Sequence, residues 1–101
     1  MPEFTAPVIA PRTHPCMADH FPGNPVAPGA LMLDLMLAAC EARFPTGRLT
    51  EIVNAKFLKP VRPGVVCTLS AREARPGVLH LELRDHREAL LITTTMRFQP
   101  S

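Results

Sequence analysis

The chain has 101 residues, a formal net charge of +2 and 47% hydrophobic residues, which is the size and composition of one globular domain. Its Lys and Arg residues are scattered, and Trp and Tyr are absent, so neither a basic nucleic-acid surface nor a stacking platform for single strands is indicated. We therefore predict a single domain over residues 1–101, in which twelve prolines stiffen the loops.

The cysteines and the N-terminus indicate a cytoplasmic protein. Cys16, Cys40 and Cys67 are odd in number and far apart, a pattern that is typical neither of a disulfide framework nor of a zinc knuckle. The opening residues MPEFTAPVIAPR contain no basic region followed by an apolar core, so export is not predicted. No window approaches the roughly 18 apolar residues that a membrane span needs.

The predicted elements are a possible edge strand, one helix and four further strands. Residues 5–10 can form the edge strand, where proline is tolerated. Residues 30–43 contain no Gly or Pro and are rich in Ala, Leu and Met, which predicts a helix. The segment FPTG at 44–47 ends it. Extended segments of strand length or slightly longer follow at 49–60, 65–74, 78–84 and 89–98.

The helix decides the predicted fold. It is apolar on every side except at Asp34 over residues 30–40, so it must be covered on all sides rather than lie on a surface. Sequential strands joined by short turns make an antiparallel sheet. We therefore predict an α+β fold in which an antiparallel sheet of four to five strands wraps around one central helix. A small domain with this apolar demand commonly pairs with a second copy, so we expect a homodimer.

The segment HFPGNPVAPG, residues 20–29, directly precedes the helix. Its prolines fix their own φ and bias the preceding residues toward extended conformations, so the loop is suited to holding His20 in place. Gly29 lies where the loop meets the helix, and its N–H therefore lacks an intrahelical acceptor and can donate to a ligand oxygen. The alternatives are a loop histidine without a task and a glycine that serves turn geometry alone.

Asp34 is the anomaly of the apolar helix, because its neighbours three and four residues away are all apolar and offer it no partner. Burial disfavours the ionised carboxylate, and this effect exceeds the roughly 0.3–1 kcal/mol by which the helix N-terminus favours it. We therefore predict a carboxyl that is protonated near neutral pH, which is a candidate general acid. The alternative is a buried Asp that is bonded to a backbone amide or a polar side chain.

His20, the Gly29 N–H and Asp34 together match one reaction class, the elimination of water from a β-hydroxyacyl thioester. The reaction needs a base for the α-proton, a donor for the thioester carbonyl and an acid for the departing hydroxyl. Histidine suits the base because the unperturbed imidazole titrates close to working pH.

The segment HFPGNPVAPGALMLD resembles the active-site segment of the β-hydroxyacyl-acyl-carrier-protein dehydratases, which have the hotdog fold. The segment NAKFLKPVRPG, residues 54–64, is similar to the strand and turn that follow the helix in that family. The resemblance covers roughly residues 8–98. It implies that His20 is the general base, that Asp34 binds or protonates the leaving hydroxyl, and that the Gly29 N–H polarises the thioester.

The resemblance also implies how the site is assembled. The carbonyl of Val26 would orient the histidine, and the histidine and the carboxylate of one site would come from different subunits. The helix would line a tunnel for the acyl chain, with Met32, Leu33 and Met36 as walls. Asp in place of Glu at the acid position is similar to the dehydratase–isomerase group and to the short dehydratases of aryl-polyene or polyketide pathways.

The function implied is dehydration of a 3-hydroxyacyl thioester in fatty-acid, aryl-polyene or polyketide-type biosynthesis. The substrate would be bound to an acyl carrier protein, or else to coenzyme A, and the protein would be a homodimer or a dimer-based oligomer without metal or organic cofactor. A hotdog thioesterase and a non-catalytic acyl-binding or partner subunit remain alternatives.

The remaining polar residues are predicted to have minor roles. His14, Cys16 and His20 lack a fourth ligand, so no metal site is predicted. His80 and His86 are expected on a solvated strand face and in a turn. Five basic residues are interpreted as a solvated face, with docking of an acidic carrier protein as the alternative. They are Lys56, Lys59, Arg62, Arg72 and Arg75.

Overall fold

The computed structural model describes residues 3–12, 26–43 and 48–99. One helix and five strands form in these ranges: β1 (Glu3–Ile9), α1 (Gly29–Arg43), β2 (Arg48–Phe57), β3 (Val66–Arg75), β4 (Val78–Arg84) and β5 (Leu90–Gln99). The strands make a single five-stranded sheet in the order β1-β3-β4-β5-β2, and every neighbouring pair is antiparallel.

Helix α1 packs one side against this sheet. Met32, Met36 and Cys40 follow each other at intervals of four and are almost fully buried, so one stripe of the helix faces the core. Alternate residues of β3, β4 and β5 complete the same core, namely Leu69, Leu81, Leu83, Ile92 and Met96. The predicted α+β hotdog fold, one helix against an antiparallel sheet, is confirmed.

Strand β4 covers residues 78–84, as the alternation predicted. The turn at Gly77, directly before it, explains why the strand begins there. Gly77 has a φ of 79°, and a Cβ added there would lie 2.8 Å from the Phe98 carbonyl oxygen. Only glycine suits this turn, because the backbone conformation and the lack of space both exclude a side chain. The Phe98 N–H donates to the Gly77 carbonyl at 2.7 Å, which ties the turn to β5.

The prediction that consecutive strands pair is right for β3, β4 and β5 and wrong for β2. Strand β2 pairs with β5 at the edge opposite β1, so the turn at residues 62–64 carries the chain across the sheet instead of closing a hairpin. Strand β2 also ends at Phe57 rather than at residue 60. Beyond it, the N–H groups of Leu58 and Lys59 both point to the Leu91 carbonyl, at 2.8 and 3.3 Å.

The prediction that α1 is covered on all sides is wrong within one chain. Ala30, Asp34 and Ala38 are exposed, while Leu33 and Leu37 are half-buried. Ala30, Asp34 and Ala38 lie on the side of the helix away from the buried stripe, and Leu33 and Leu37 lie at the border of that side, where they also contact the core. We call these five residues the open helix face.

Strand β2 is open in the same way. Its residues Ile52, Ala55 and Phe57 lie opposite the inward-facing Met96, Thr94 and Ile92 of β5, so they share the inner face of the sheet. Ile52 and Phe57 are nevertheless 40% and 52% exposed. We call these three residues the β2 inner face.

Within the described part of the chain, no helix is long and apolar enough to cross a lipid bilayer.

The two described cysteines should resist thiol reagents. Both are free and buried. Burial, with a smaller contribution from Glu41, raises the pKa of Cys40 from 9.0 to about 11, and burial followed by the charge of Asp85 raises the pKa of Cys67. Because the thiolate is the reactive form, both should be modified slowly at about pH 8 in the native protein.

The measurement is release of thionitrobenzoate from Ellman's reagent by a Cys16→Ser variant, folded and in concentrated guanidinium. Two thiols should react promptly only after unfolding. Prompt modification of either thiol in the folded protein would contradict the burial.

Candidate active site

The start of helix α1 supplies a backbone donor that has no acceptor among the described residues. The first helical hydrogen bond runs from the Met32 N–H to the Pro28 carbonyl, at 3.1 Å. The N–H of Gly29 precedes that bond and has no acceptor within the helix. The positive end of the helix dipole lies at the same point, so this N–H is suited to an oxygen that carries developing negative charge.

A cavity of about 430 Å³ opens beside this helix start. Such a volume is typical of small-ligand sites. The helix and the residues before it contribute Val26, Ala27, Gly29 and Met32, and the opposite wall is formed by residues 57–61 together with Ile92. Most of these side chains are apolar, so the cavity can accept a short acyl chain while the Gly29 N–H meets its carbonyl.

The structure places the three predicted tunnel walls in three different surroundings. Met32 lines the cavity, Met36 is fully buried in the core, and Leu33 is half-buried on the open helix face. Val26 also lines the cavity. The roles of these residues in binding and in orienting the histidine remain predictions.

The two ends of residues 11–26 are held by one short turn. The Ala27 N–H donates to the Val61 carbonyl, and the Gly64 N–H donates to the Ala10 carbonyl, each at 2.8 Å. The Arg12 side chain also lies directly over Gly64, whose φ is 80°. We call residues 61–64 the anchor turn. His20 belongs to the span between these anchors and lies outside the described residues, so its position remains a prediction.

Asp34 does not meet the cavity of its own chain. It lies on the open helix face and is exposed, so the predicted burial is wrong at the level of one chain. Asp34 follows Met32 by two positions, which corresponds to about 200° around a helix, so Asp34 faces away from the wall that Met32 forms. Removal of this carboxyl from water therefore requires another surface over this face.

A second groove, of about 340 Å³, borders the first cavity at Pro60, which lines both. Arg62, His86 and Arg87 line it, and Lys59 lines the neighbouring cavity. We call the surface formed by Lys59, Arg62, His86 and Arg87 the cationic groove.

The carboxylate in this groove, that of Asp85, stabilises the turn to which it belongs. Asp85 accepts hydrogen bonds from the backbone N–H groups of Ala89, at 3.0 Å, and Arg87, at 2.8 Å. The Ala89 bond, supported by the Arg87 bond and by the charges of His86 and Lys59, lowers the pKa of Asp85. The groove therefore presents more positive than negative charge to an approaching molecule.

The five basic residues of the predicted solvated face are all exposed. Lys59 and Arg62 belong to the cationic groove, whereas Arg72 lies on the outer face of the sheet and Arg75 ends β3. His80 is half-buried on the outer face, 3.2 Å from the Thr95 hydroxyl, and His86 lies in the β4–β5 turn. Two basic residues of this groove, His86 and Arg87, were missed because nothing local in the sequence places that turn beside residues 59–62.

Among residues 3–12, 26–43 and 48–99, no three His, Cys, Asp or Glu side chains are placed to hold a metal ion. His14, Cys16 and His20 lie outside these ranges.

Comparison with known proteins adds a family. A family profile described as ApeI-like, ApeI dehydratase, matches residues 3–95. The chain is 34% identical over 86 residues to the 3-hydroxyacyl-[acyl-carrier-protein] dehydratase FabZ of Ehrlichia chaffeensis, which covers 77% of this chain. This chain spans only 60% of the length of that relative.

Solved structures share the fold. The dehydratase heterocomplex ApeI:P from Xenorhabdus doucetiae superposes with a TM-score of 0.79 at 18% identity, over 94% of this chain and 85% of that one. A thioesterase superfamily member from Thermus thermophilus superposes with a TM-score of 0.66 at 20% identity, over 97% and 81%. One fold thus serves dehydratases and thioesterases, and the choice between them depends on the site.

Proposed function

Because the chain belongs to the ApeI-like dehydratase family, we propose that it removes water from a 3-hydroxyacyl thioester and releases the trans-2-enoyl thioester. The observation that carries the proposal is the family match over residues 3–95, within which the Gly29 N–H borders an apolar cavity. The pathways that we propose for it are fatty-acid, aryl-polyene or polyketide-type synthesis in the cytoplasm.

The proposed reaction needs three groups. His20 takes the proton from the α-carbon, the released electron pair forms the Cα–Cβ double bond, and the Cβ–O bond breaks. Asp34 gives its proton to the departing hydroxyl, which leaves as water. The Gly29 N–H donates to the thioester oxygen while negative charge develops there. Proton exchange with water resets both side chains, and the Val26 carbonyl orients the imidazole.

We propose that two chains build each site. Apart from Asp34, the open helix face and the β2 inner face are apolar and partly exposed, and exposed apolar patches are typical of interfaces. A second copy that covers them would bury both and would remove Asp34 from water. Asp34 faces away from its own cavity, so it would complete the site that contains His20 of the other subunit.

The proposed substrate carrier is an acidic acyl carrier protein. The cationic groove meets the cavity at Pro60, so a carrier that docked there would bring its thioester to the cavity. Attraction between opposite charges raises the rate of encounter and weakens as salt increases.

Substitution of the proposed acid and base should abolish turnover. We expect His20→Ala and Asp34→Asn each to lower kcat for a 3-hydroxybutyryl thioester by at least about a hundredfold, because each removes a proton-transfer group. The matched controls are His80→Ala on the outer face and Glu41→Gln on the same helix, which should keep the wild-type rate. Formation of the enoyl thioester is followed by its ultraviolet absorbance.

Unchanged turnover in either variant would reject the role given to that residue. Release of free thiol without enoyl product would identify a thioesterase instead. Stoichiometric thioester binding by wild type without turnover would identify an acyl-binding subunit.

Mixing the two inactive variants should restore activity if the site is shared between chains. When His20→Ala and Asp34→Asn chains are co-expressed and exchange at random, half of the dimers are mixed and each mixed dimer has one intact site. We therefore expect about a quarter of the wild-type activity. Light scattering on the same samples checks that they are dimers. Mixed dimers that stay inactive would show that both groups come from one chain.

The cationic groove should matter only for carrier-bound substrate. We expect Arg87→Glu to raise KM for an acyl-carrier-protein thioester severalfold at low salt, and the difference from wild type should shrink as ionic strength rises. KM for a short N-acetylcysteamine thioester should not change. Arg75→Glu, at the far end of β3, is the matched control. Equal effects of the two substitutions would reject the groove as the docking surface.

A further inference from the structure

Helix α1 begins against an aromatic ring. Phe57 is the last residue of β2, and its ring lies over the Cα atom of Gly29. A Cβ added at residue 29 would lie 2.7 Å from Cε1, 2.9 Å from Cζ and 3.2 Å from Cδ1 of that ring. Carbon atoms in contact prefer about 3.5–4.0 Å, so the edge of the ring occupies the volume that a side chain would need.

The backbone conformation at residue 29 does not call for glycine, whereas the Phe57 ring as placed leaves no room for a side chain there. Of the glycines in the described residues, Gly64 and Gly77 have positive φ, which L side chains rarely adopt. Gly29 is not one of these. Gly29 is the first residue of a helix, and the backbone conformation there suits other residues as well. The obstacle to a side chain is the ring beside it.

The same ring forms part of the wall of the cavity. Phe57 lines it together with Gly29 and Met32, and its register opposite the buried Ile92 directs it to the inner face of the sheet. The ring therefore stands between the helix start and the open edge of β2. A backbone donor beside an apolar group is less hydrated, and a hydrogen bond to it is stronger where water is excluded.

We propose that Phe57 is a positioning residue, whose ring keeps water and side chains away from the Gly29 N–H and so holds the thioester carbonyl against it. This inference rests on the proposed function, because the donor has a task only if a thioester binds there. Phe57 exchanges no proton and forms no bond. It acts through the placement of the Gly29 donor.

A double-substitution cycle at residues 29 and 57 tests the packing. Gly29→Ala drives a methyl group into the ring, so it should lower the thermal unfolding midpoint and reduce kcat about a hundredfold, as a displacement of about 1 Å can. Phe57→Leu removes the ring atoms that the methyl group meets. The double variant should therefore regain most of the midpoint that Gly29→Ala loses. Midpoint shifts that simply add would overturn the packing argument.

The kinetics of Phe57→Leu alone test the positioning. We expect kcat to fall about tenfold while KM changes by less than about threefold, because the lost stabilisation belongs to the transition state. The matched control is Phe98→Leu, at a half-buried ring of β5 that packs against the core far from the cavity. It should lower the midpoint and leave kcat unchanged. An unchanged kcat in Phe57→Leu would overturn the proposal.

A spectroscopic readout separates this inference from the proposed function. A saturated butyryl thioester with a ¹³C-labelled carbonyl cannot lose water, and its carbonyl stretch should fall in frequency when it binds to the wild type. The shift should be smaller in Phe57→Leu and unchanged in Phe98→Leu. Equal shifts in wild type and Phe57→Leu would overturn the positioning role, as would failure of the thioester to bind. A wild type that polarises the carbonyl but dehydrates nothing would reject the proposed function and support the inference.

Discussion

Covering helix α1 is the constraint on which the rest of the structure depends. The helix carries apolar residues on nearly every side, yet one sheet can cover only one of them. The sheet takes the stripe of Met32, Met36 and Cys40 and leaves the side that carries Asp34 exposed. Because exposed apolar surface is costly in water, a covering surface would stabilise this side, and Asp34, the proposed acid, lies on it. In the proposed dimer, burial of apolar surface would drive both folding and the assembly of the site.

The part of the proposed site that the structure describes beside the cavity relies on backbone more than on polar side chains. Its donor is an amide at a helix start, and the segment before that helix is fixed by the bond from the Ala27 N–H to Val61. Such groups need no rotamer to be chosen when a ligand arrives, so little conformational entropy is lost on binding. The glycines also act through the backbone: Gly64 and Gly77 allow turns, whereas Gly29 leaves room for a ring.

Local patterns in the sequence predicted the elements well. Strand β4 was predicted at its observed bounds because alternation and a Pro-Gly turn both mark it, and the helix begins only one residue before its predicted start. The place of β2 was not predicted, because strand order is decided by a crossover that leaves no local signal. The burial of Asp34 was predicted from a helix considered alone, and one sheet cannot surround it.

The site was predictable only in part for the same reason. The donor at Gly29 follows from its place at a helix start, which a proline-rich loop marks clearly. Its contact with Phe57 joins residues that are distant in the sequence, and neither residue has a local feature that points to the other. The role of Arg87 in the cationic groove likewise depends on a turn that the sheet brings to Pro60.

The anchor turn has a consequence for how this protein can diversify. Ala10 is bonded to Gly64 and Ala27 to Val61, so the described chain on both sides of residues 13–25 is fixed to one turn. The entropy of closing a loop grows only with the logarithm of its length. Natural variation can therefore insert, delete or exchange residues between the two attachment points at little cost to folding. Substrate preference can therefore change through the residues around a retained histidine, while the sheet is inherited unchanged.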